Sequence, residues 1–328
     1  MRDIRIAAAQ FEHRDGDKAF NLGRIRALTE QAVADGAEIV SFHEVSIPAY
    51  SYLQSATREE LLEVAEPIPD GPSCRELQQI AADCGVPVLA GLVERDGEDL
   101  YNAYVCFDAD GLLARFRKLH AFLNPHLSNG SEYCVFDLLG CRFGILICYD
   151  NNLVENVRIT ALMGAEVIFM PHVTGCLPSV MPGRGLVDPG LWHNRHADPV
   201  PLRIELSGPK GRGWLMRWLP ARAYENGVYA IFTNPIGIDD GQVRNGNAMV
   251  LDPYGEVIAE CTVLGDDVTV GLCTGDKIEA SSGRRYLRAR RPELYGKLVE
   301  PSDEPPVTSP GWERKPPRDG PEQAKATP

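Results

Sequence analysis

The sequence predicts an α/β layered fold, on three observations. Short apolar runs of strand type alternate with stretches whose apolar residues recur at helical spacing. Glycine-marked turns separate the two kinds of segment. No period of roughly 20–50 residues repeats, which leaves out a solenoid. The 328 residues, 44% of them hydrophobic, allow one large domain or two ordinary ones around a sizeable core.

Taken in order, Ile4–Gln10 opens the chain as a strand. Leu22, Ile25, Leu28 and Ala32 follow at helical spacing, and Gly36 is the natural stop. Residues 37–42 form a short apolar strand. Leu77, Ile80, Ala81 and Cys84 mark a second helix ending at Gly85, with a strand over 86–92 after it. Residues 101–107 and 112–116, joined through a turn at 108–111, read as a hairpin, and 133–138 with 143–147 as another. A helix is expected over 151–163 and a buried strand over 166–170. Further strands are expected over 227–234, 247–251, 256–259 and 267–272. Two stretches break the rhythm. Residues 174–217 are rich in Gly and Pro with little periodicity, which suits a long cover or lid. Residues 301–328 hold 8 prolines in 28 positions; such a tail buries too little surface to offset its ordering entropy, so it is expected to be disordered on its own.

Composition excludes several functions. The 33 Lys and Arg against 46 Asp and Glu leave a net charge of −13, which disfavours nucleic acid or an anionic membrane as partner. No apolar run reaches the ~18–20 residues of a membrane helix. The opening MRDIRIAAAQF charges too soon for a signal peptide. Nine cysteines, none in a CxxC pair, read as reduced thiols of a cytoplasmic protein rather than a disulfide or zinc framework.

Three residues could together do chemistry. Cys148 stands between the strand-like FGILI and a helix start, where a helix N-terminus would favour the thiolate. Taken alone, it reads more readily as one more buried, inert cysteine. Glu44 follows the strand-like AEIVSF and Lys118 follows LLARFR. Each alone reads equally as a solvated charge. Together they set a base, an electrostatic stabiliser and a nucleophile at C-terminal strand ends, where crevices form in α/β sheets.

The chain resembles the nitrilase (carbon–nitrogen hydrolase) superfamily. The matching segments are RIAAAQF, VSFHEVSIPAY, RFRKLHAF, FGILICYD, GAEVIFMPH, ARAYENGVYAIFTN and RRPELYG, from residue 4 to about 296. The resemblance implies an α-β-β-α sandwich over residues 1–300, with 174–217 as the cover insertion. It also implies pairing into a homodimer or higher oligomer through helices near the nucleophile, and hydrolysis without metal or organic cofactor. It makes Cys148 the nucleophile, Glu44 the general base and Lys118 the stabiliser of the tetrahedral intermediate, with the Tyr149 backbone N–H as second oxyanion donor. It sets His172, which closes GAEVIFMPH, among the substrate-binding residues.

The sequence departs from the family in two ways. Many members carry a second glutamate several residues after the lysine; here Asn124, Pro125 and His126 stand in that stretch and Glu132 lies further on. Asn124, His126 and Glu132 are the candidates for its work. His126 is preferred because one imidazole nitrogen can accept while the other is held, although it reads as readily as a satisfied loop histidine. The helix after Cys148 reads CYDNNLVENVR where relatives have an aromatic–Pro–Glu sequence.

Other features carry less. His193 and His196 form an HxxH pair without a completing ligand cluster, so no metal is expected. GPKGRG at 208–213 lacks the phosphate-loop pattern and reads as a turn. Arg222, Glu225 and Asn226 read as packing and pairing residues. Trp192, Trp214 and Trp218 suit sealing the insertion or touching substrate equally. The expected activity is thiol-dependent hydrolysis of a small carboxamide, with nitriles and N-carbamoyl amines as alternatives. A catalytically idle binding scaffold is the reading from another class.

Overall fold

The computed structural model describes residues 1–301. Past Pro301, the tail expected to be disordered lies outside the described residues. The strands of the first half are β1 (Ile4–Gln10), β2 (Ile39–Ser41), β3 (Val88–Asp96), β4 (Asp99–Asp108) and β5 (Gly111–Arg117). Those of the second are β6 (Cys134–Leu138), β7 (Cys141–Ile145), β8 (Val167–Pro171), β9 (Tyr229–Thr233), β10 (Ile236–Asp239), β11 (Gln242–Asn245), β12 (Met249–Leu251), β13 (Val257–Glu260) and β14 (Asp267–Cys273). They form two six-stranded sheets, ordered β14-β1-β2-β3-β4-β5 and β13-β12-β9-β8-β7-β6, with β10 and β11 as a separate hairpin. In each sheet three adjacent strands run parallel, β1-β2-β3 in one and β7-β8-β9 in the other. The central strands β8 and β9 are buried at every position, as a sheet covered on both faces demands.

Helices cover the outer faces. α1 (Lys18–Ala34) is capped by Asp17, whose carboxylate accepts from the Phe20 N–H, and buries Ile25, Leu28 and Ala32 of the expected stripe, with Leu22 part-buried against the same core. α2 (Arg58–Val64) is short and opens with a Thr57–Glu60 capping box. α3 (Pro72–Cys84) starts on proline and closes at Gly85, whose φ of 70° is the left-handed cap expected of glycine. α1 and α3 pack with Ala7, Ala9, Val40 and Val88 on the outside of the first sheet. α4 (Val154–Leu162) contributes Val157 and Ala161 to the central core. That core also takes Ile4, Ile6 and Leu89 from one sheet and Phe143, Ile145 and Phe169 from the other. The result is the α-β-β-α sandwich that the resemblance implies.

The insertion is more ordered than its sequence suggests. Residues 174–217 carry α5 (Pro189–His193), α6 (Val200–Ser207) and α7 (Arg212–Leu215). Their own small core joins Cys176, Val187, Trp192, Leu202 and Leu206 to Ile236 and Val243 of the β10–β11 hairpin. Helices this short have little periodicity to read, and packing against the hairpin supplies the order. α8 (Leu219–Asn226), α9 (Gly275–Ala280) and α10 (Ser282–Arg288) complete the described helices. No described helix is long and apolar enough to cross a membrane.

Candidate active site

Three strand ends bring the chemistry together. β2 ends at Ser41 and runs into a turn that carries Glu44, with Val45 at φ 47° and Ala49 at φ 74°. The Phe42 carbonyl accepts from the Tyr104 hydroxyl and, at 2.7 Å, from Thr233 Oγ1. Gly91 makes room for the turn: a Cβ there would lie 2.2 Å from the Val45 nitrogen. Glu44 is wholly buried. Its Oε1 accepts from Lys118 Nζ at 2.6 Å and from Asn102 Nδ2 at 2.7 Å, while Oε2 has no hydrogen bond among the described residues.

Lys118 follows β5, with its backbone N–H on the Asn102 carbonyl at 2.8 Å and its own carbonyl accepting from Gly130 at 2.8 Å. Its side chain is fully buried. Burial works against the ammonium, but Glu44, Cys148 and Asp150 outweigh it and hold the Lys118 pKa above the ordinary lysine range.

Cys148 follows β7 and stands at φ 50°, a left-handed conformation rare for a side chain with a Cβ. Here the expectation of a helix start at the thiol is corrected. Residues Cys148–Asn151 make a single 3-10 turn, and α4 begins only at Val154. The thiol is therefore not lowered by a helix N-terminus. Burial, then the facing Glu44 carboxylate, push it up to about 12 against the opposing pull of Lys118.

Neighbouring polar groups lock the turn. Asp150 accepts from the N–H groups of Leu119 and His120 at 3.1 and 3.0 Å, and its Oδ1 lies 2.8 Å from His120 Nδ1. It thereby ties the segment after Lys118 to the Cys148 turn. Asn151 Nδ2 donates to the Leu146 carbonyl at 2.7 Å and lies 3.3 Å from His172 Nε2. Arg222 donates to the carbonyls of Asn151 and Asn152 at 2.8 and 2.9 Å and pairs with Glu225 at 3.2 Å. The pairing role read for Arg222 matches these contacts.

His172, just past β8, is buried and donates its backbone N–H to the Thr233 carbonyl at 2.8 Å. Burial and then the Lys118 charge hold its ring well below the usual histidine pKa, so it is neutral. Trp218 covers it at 5.4 Å between ring centroids. Tyr149 is part-exposed and meets Phe122 edge-on at 5.3 Å. Trp192 is buried in the insertion and donates Nε1 to Glu12 at 3.1 Å, a sealing contact.

The expectations for the missing glutamate meet a different geometry. Asn124 is buried, but its Nδ2 donates to the carbonyls of Leu53 and Ala56, both at 2.8 Å, and its Oδ1 accepts from the His126 N–H. Both amide groups therefore already have partners: the two N–H donors on the Leu53 and Ala56 carbonyls and the oxygen on the loop's own backbone. The side chains of His126 and Glu132 are exposed. The structure instead sets aromatic rings at the lysine: Nζ lies 4.8 Å from the Phe122 centroid and 5.9 Å from that of Tyr50. Tyr50 is buried with its hydroxyl unbonded among the described residues. Asn102, Asp150, Tyr50 and Phe122 escaped the sequence reading; polar residues at inward strand positions, as in LYNAY, were the one available signal.

Behind Glu44 lies a second buried network. His13 Nδ1 is 2.9 Å from His43 Nε2, and His13 Nε2 is 3.0 Å from Asp239 Oδ1. Asp239 also accepts from Ser51 Oγ at 2.5 Å and from Arg244 Nε at 2.8 Å. His13, Asp15 and Asp239 are close enough to share a cation, but the Arg244 guanidinium already neutralises the aspartate. His193 and His196 are both exposed.

The sequence matches the carbon–nitrogen hydrolase family over residues 5–280. It is 29% identical to an (R)-stereoselective amidase of a Pseudomonas species, covering 92% of this chain and 96% of that one. It is 27% identical to a nitrilase of Pyrococcus abyssi, over 81% and 88% of the two chains. Among solved structures, a mutant amidase from Nesterenkonia sp. AN1, carrying the acetamide moiety of fluoroacetamide on its active-site cysteine, superposes with a TM-score of 0.67. That match is 22% identical and covers 90% of this chain and 97% of the other. Family match, sandwich fold and relatives agree, and the chain belongs to the carbon–nitrogen hydrolase family.

Proposed function

We propose that this hydrolase acts on a small carboxamide through a Cys148 thioester. The observation that carries the reading is the buried Lys118–Glu44 pair at 2.6 Å beside a thiol on a left-handed turn. With Oε1 engaged by Lys118 and Asn102, Oε2 is the oxygen left to receive the Cys148 proton. The sulfur then attacks the carbonyl carbon. The oxyanion forms against the Lys118 ammonium, with the Tyr149 backbone N–H as the second donor; losing one such donor typically costs ~10²–10³ in rate. The proton held on Glu44 passes to the nitrogen and ammonia leaves; Glu44 then takes a proton from the water that adds to the thioester, and returns it to the Cys148 sulfur as the C–S bond breaks and the carboxylic acid is released. Neutral His172 adds no positive charge to compete with Lys118.

Ammonia release from a panel of small amides, ureido compounds and nitriles tests the reading. We expect turnover of an amide by the wild type, none by Cys148→Ala, and an acyl adduct on the Cys148 peptide. Turnover confined to nitriles or ureido compounds would move the substrate class. Full activity in Cys148→Ala would overturn the mechanism.

A further inference from the structure

We propose that Phe122 is a positioning residue for Lys118, its ring face serving as the second partner of the ammonium where many relatives have a second glutamate. The proposal rests on the role given to Lys118 above. A buried ammonium has three N–H donors and needs a partner for each. Among the described residues Lys118 Nζ makes one hydrogen bond, to Glu44 Oε1 at 2.6 Å. The substrate oxyanion would take a second. Toward the third stands the Phe122 ring, with its centroid 4.8 Å from Nζ. That distance is within the ~6 Å at which the negative face of an aromatic ring attracts a cation.

The ring is held in place from both sides. The N–H groups of Leu119 and His120 are fixed on Asp150, and that of Ala121 on Asn129 Oδ1 at 2.8 Å. Leu123 is buried beside Tyr50 and Leu53 in a satellite core, and Asn124 is tied to the Leu53 and Ala56 carbonyls. Between these anchors the Phe122 ring faces Lys118 and makes a T-shaped contact with Tyr149. A neutral ring attracts the ammonium without adding a second negative charge beside Cys148. The thiolate, already opposed by Glu44, is spared a further penalty.

The test compares Phe122→Leu and Phe122→Tyr with wild type on the amide found in the panel. Removing a desolvated cation–π contact should lower kcat about tenfold with KM little changed. It should also move the alkaline limb of kcat down by about half a pH unit or more. Phe122→Tyr should restore both. Alkylation of Cys148 by iodoacetamide at pH 8, followed by intact mass, gives a comparison that needs no substrate. It should be several-fold slower in Phe122→Leu and near wild type in Phe122→Tyr. An unmoved alkaline limb with equal alkylation rates would overturn the proposal. Absent amide turnover by the wild type would instead overturn the functional reading, while the alkylation rates would still decide the role of Phe122.

Discussion

At the scale of single residues, the active site resolves a conflict between burial and charge by pairing. Lys118 and Glu44 are both withdrawn from water, which would cost each several kcal/mol alone. They meet at 2.6 Å, and Asn102 supplies a further hydrogen bond to the carboxylate. For Cys148 the balance goes the other way: burial and then the Glu44 carboxylate push its thiol up to about 12, against the pull of Lys118. In the mechanism proposed above, a thiol raised in this way gives up its proton to Glu44 during the attack. Iodoacetamide alkylation of Cys148 is accordingly expected to rise without bending from pH ~7 to ~10.5, whereas the rate for an unperturbed thiol bends near pH ~8.5 and levels off about a pH unit above that. A plateau reached by pH ~9.5 would show that the Cys148 thiol is not raised, and one reached below pH ~8 that the thiolate is preformed. Cys148 was legible in the sequence from its place after FGILI, but its protonation state was not, because that depends on Glu44, 104 positions away.

At the scale of elements, the site is a junction of strand ends held by side-chain to backbone bonds. Asp150 is one such link: a carboxylate accepting two N–H groups and an imidazole joins the Lys118 segment to the Cys148 turn. Charge-assisted bonds of this kind are worth about 1.5–3 kcal/mol each. Asp150→Ala should therefore lower stability by about 2–3 kcal/mol in urea unfolding and reduce kcat at least tenfold through loss of alignment. Wild-type kcat in a folded Asp150→Ala variant would show that the two segments hold their places independently. The insertion teaches the same lesson. Its sequence has the Gly and Pro content of a loop, yet α5, α6 and α7 form because Trp192, Leu202 and Leu206 find Ile236 and Val243. The β10–β11 hairpin that receives them is four residues a side, too short for its alternation to stand out.

At the scale of the whole molecule, several packed cores, between the sheets and outside them, bury most of the cysteines. Burial pushes the thiols of Cys74 and Cys176 up to about 12 and that of Cys134 up to about 11, with Cys106, Cys261 and Cys273 raised further. In the unfolded chain a thiol titrates near ~8.5. The folded state therefore keeps protons that the unfolded state gives up. This stabilisation is complete below pH ~8.5 and is lost as pH rises toward the folded values, at up to ~1.4 kcal/mol per pH unit for each thiol. The urea midpoint should fall steadily from pH 8 to pH 10, and Cys176→Ala should show a shallower fall than wild type. A midpoint that does not change with alkaline pH would mean the thiols are hydrated in the folded state.

Periodicity and turn chemistry by themselves determined the layered α/β class, the stripe of α1, the glycine stops at Gly36 and Gly85, and the β4–β5 hairpin. All of these are set by contacts local in the chain. Glu44, Lys118 and Cys148 could be picked out because each follows an apolar strand, and such strand ends converge in this kind of sheet. Tertiary structure alone decided what surrounds them. Asn102 reaches Glu44 across 58 residues, and Asp150 reaches back to His120 across 30. The Asn124 amide N–H groups go to carbonyls of Leu53 and Ala56 that no local pattern could foretell. The physical reason is that partners of buried polar groups are chosen by packing in space, and spacing along one chain does not encode which of them will meet.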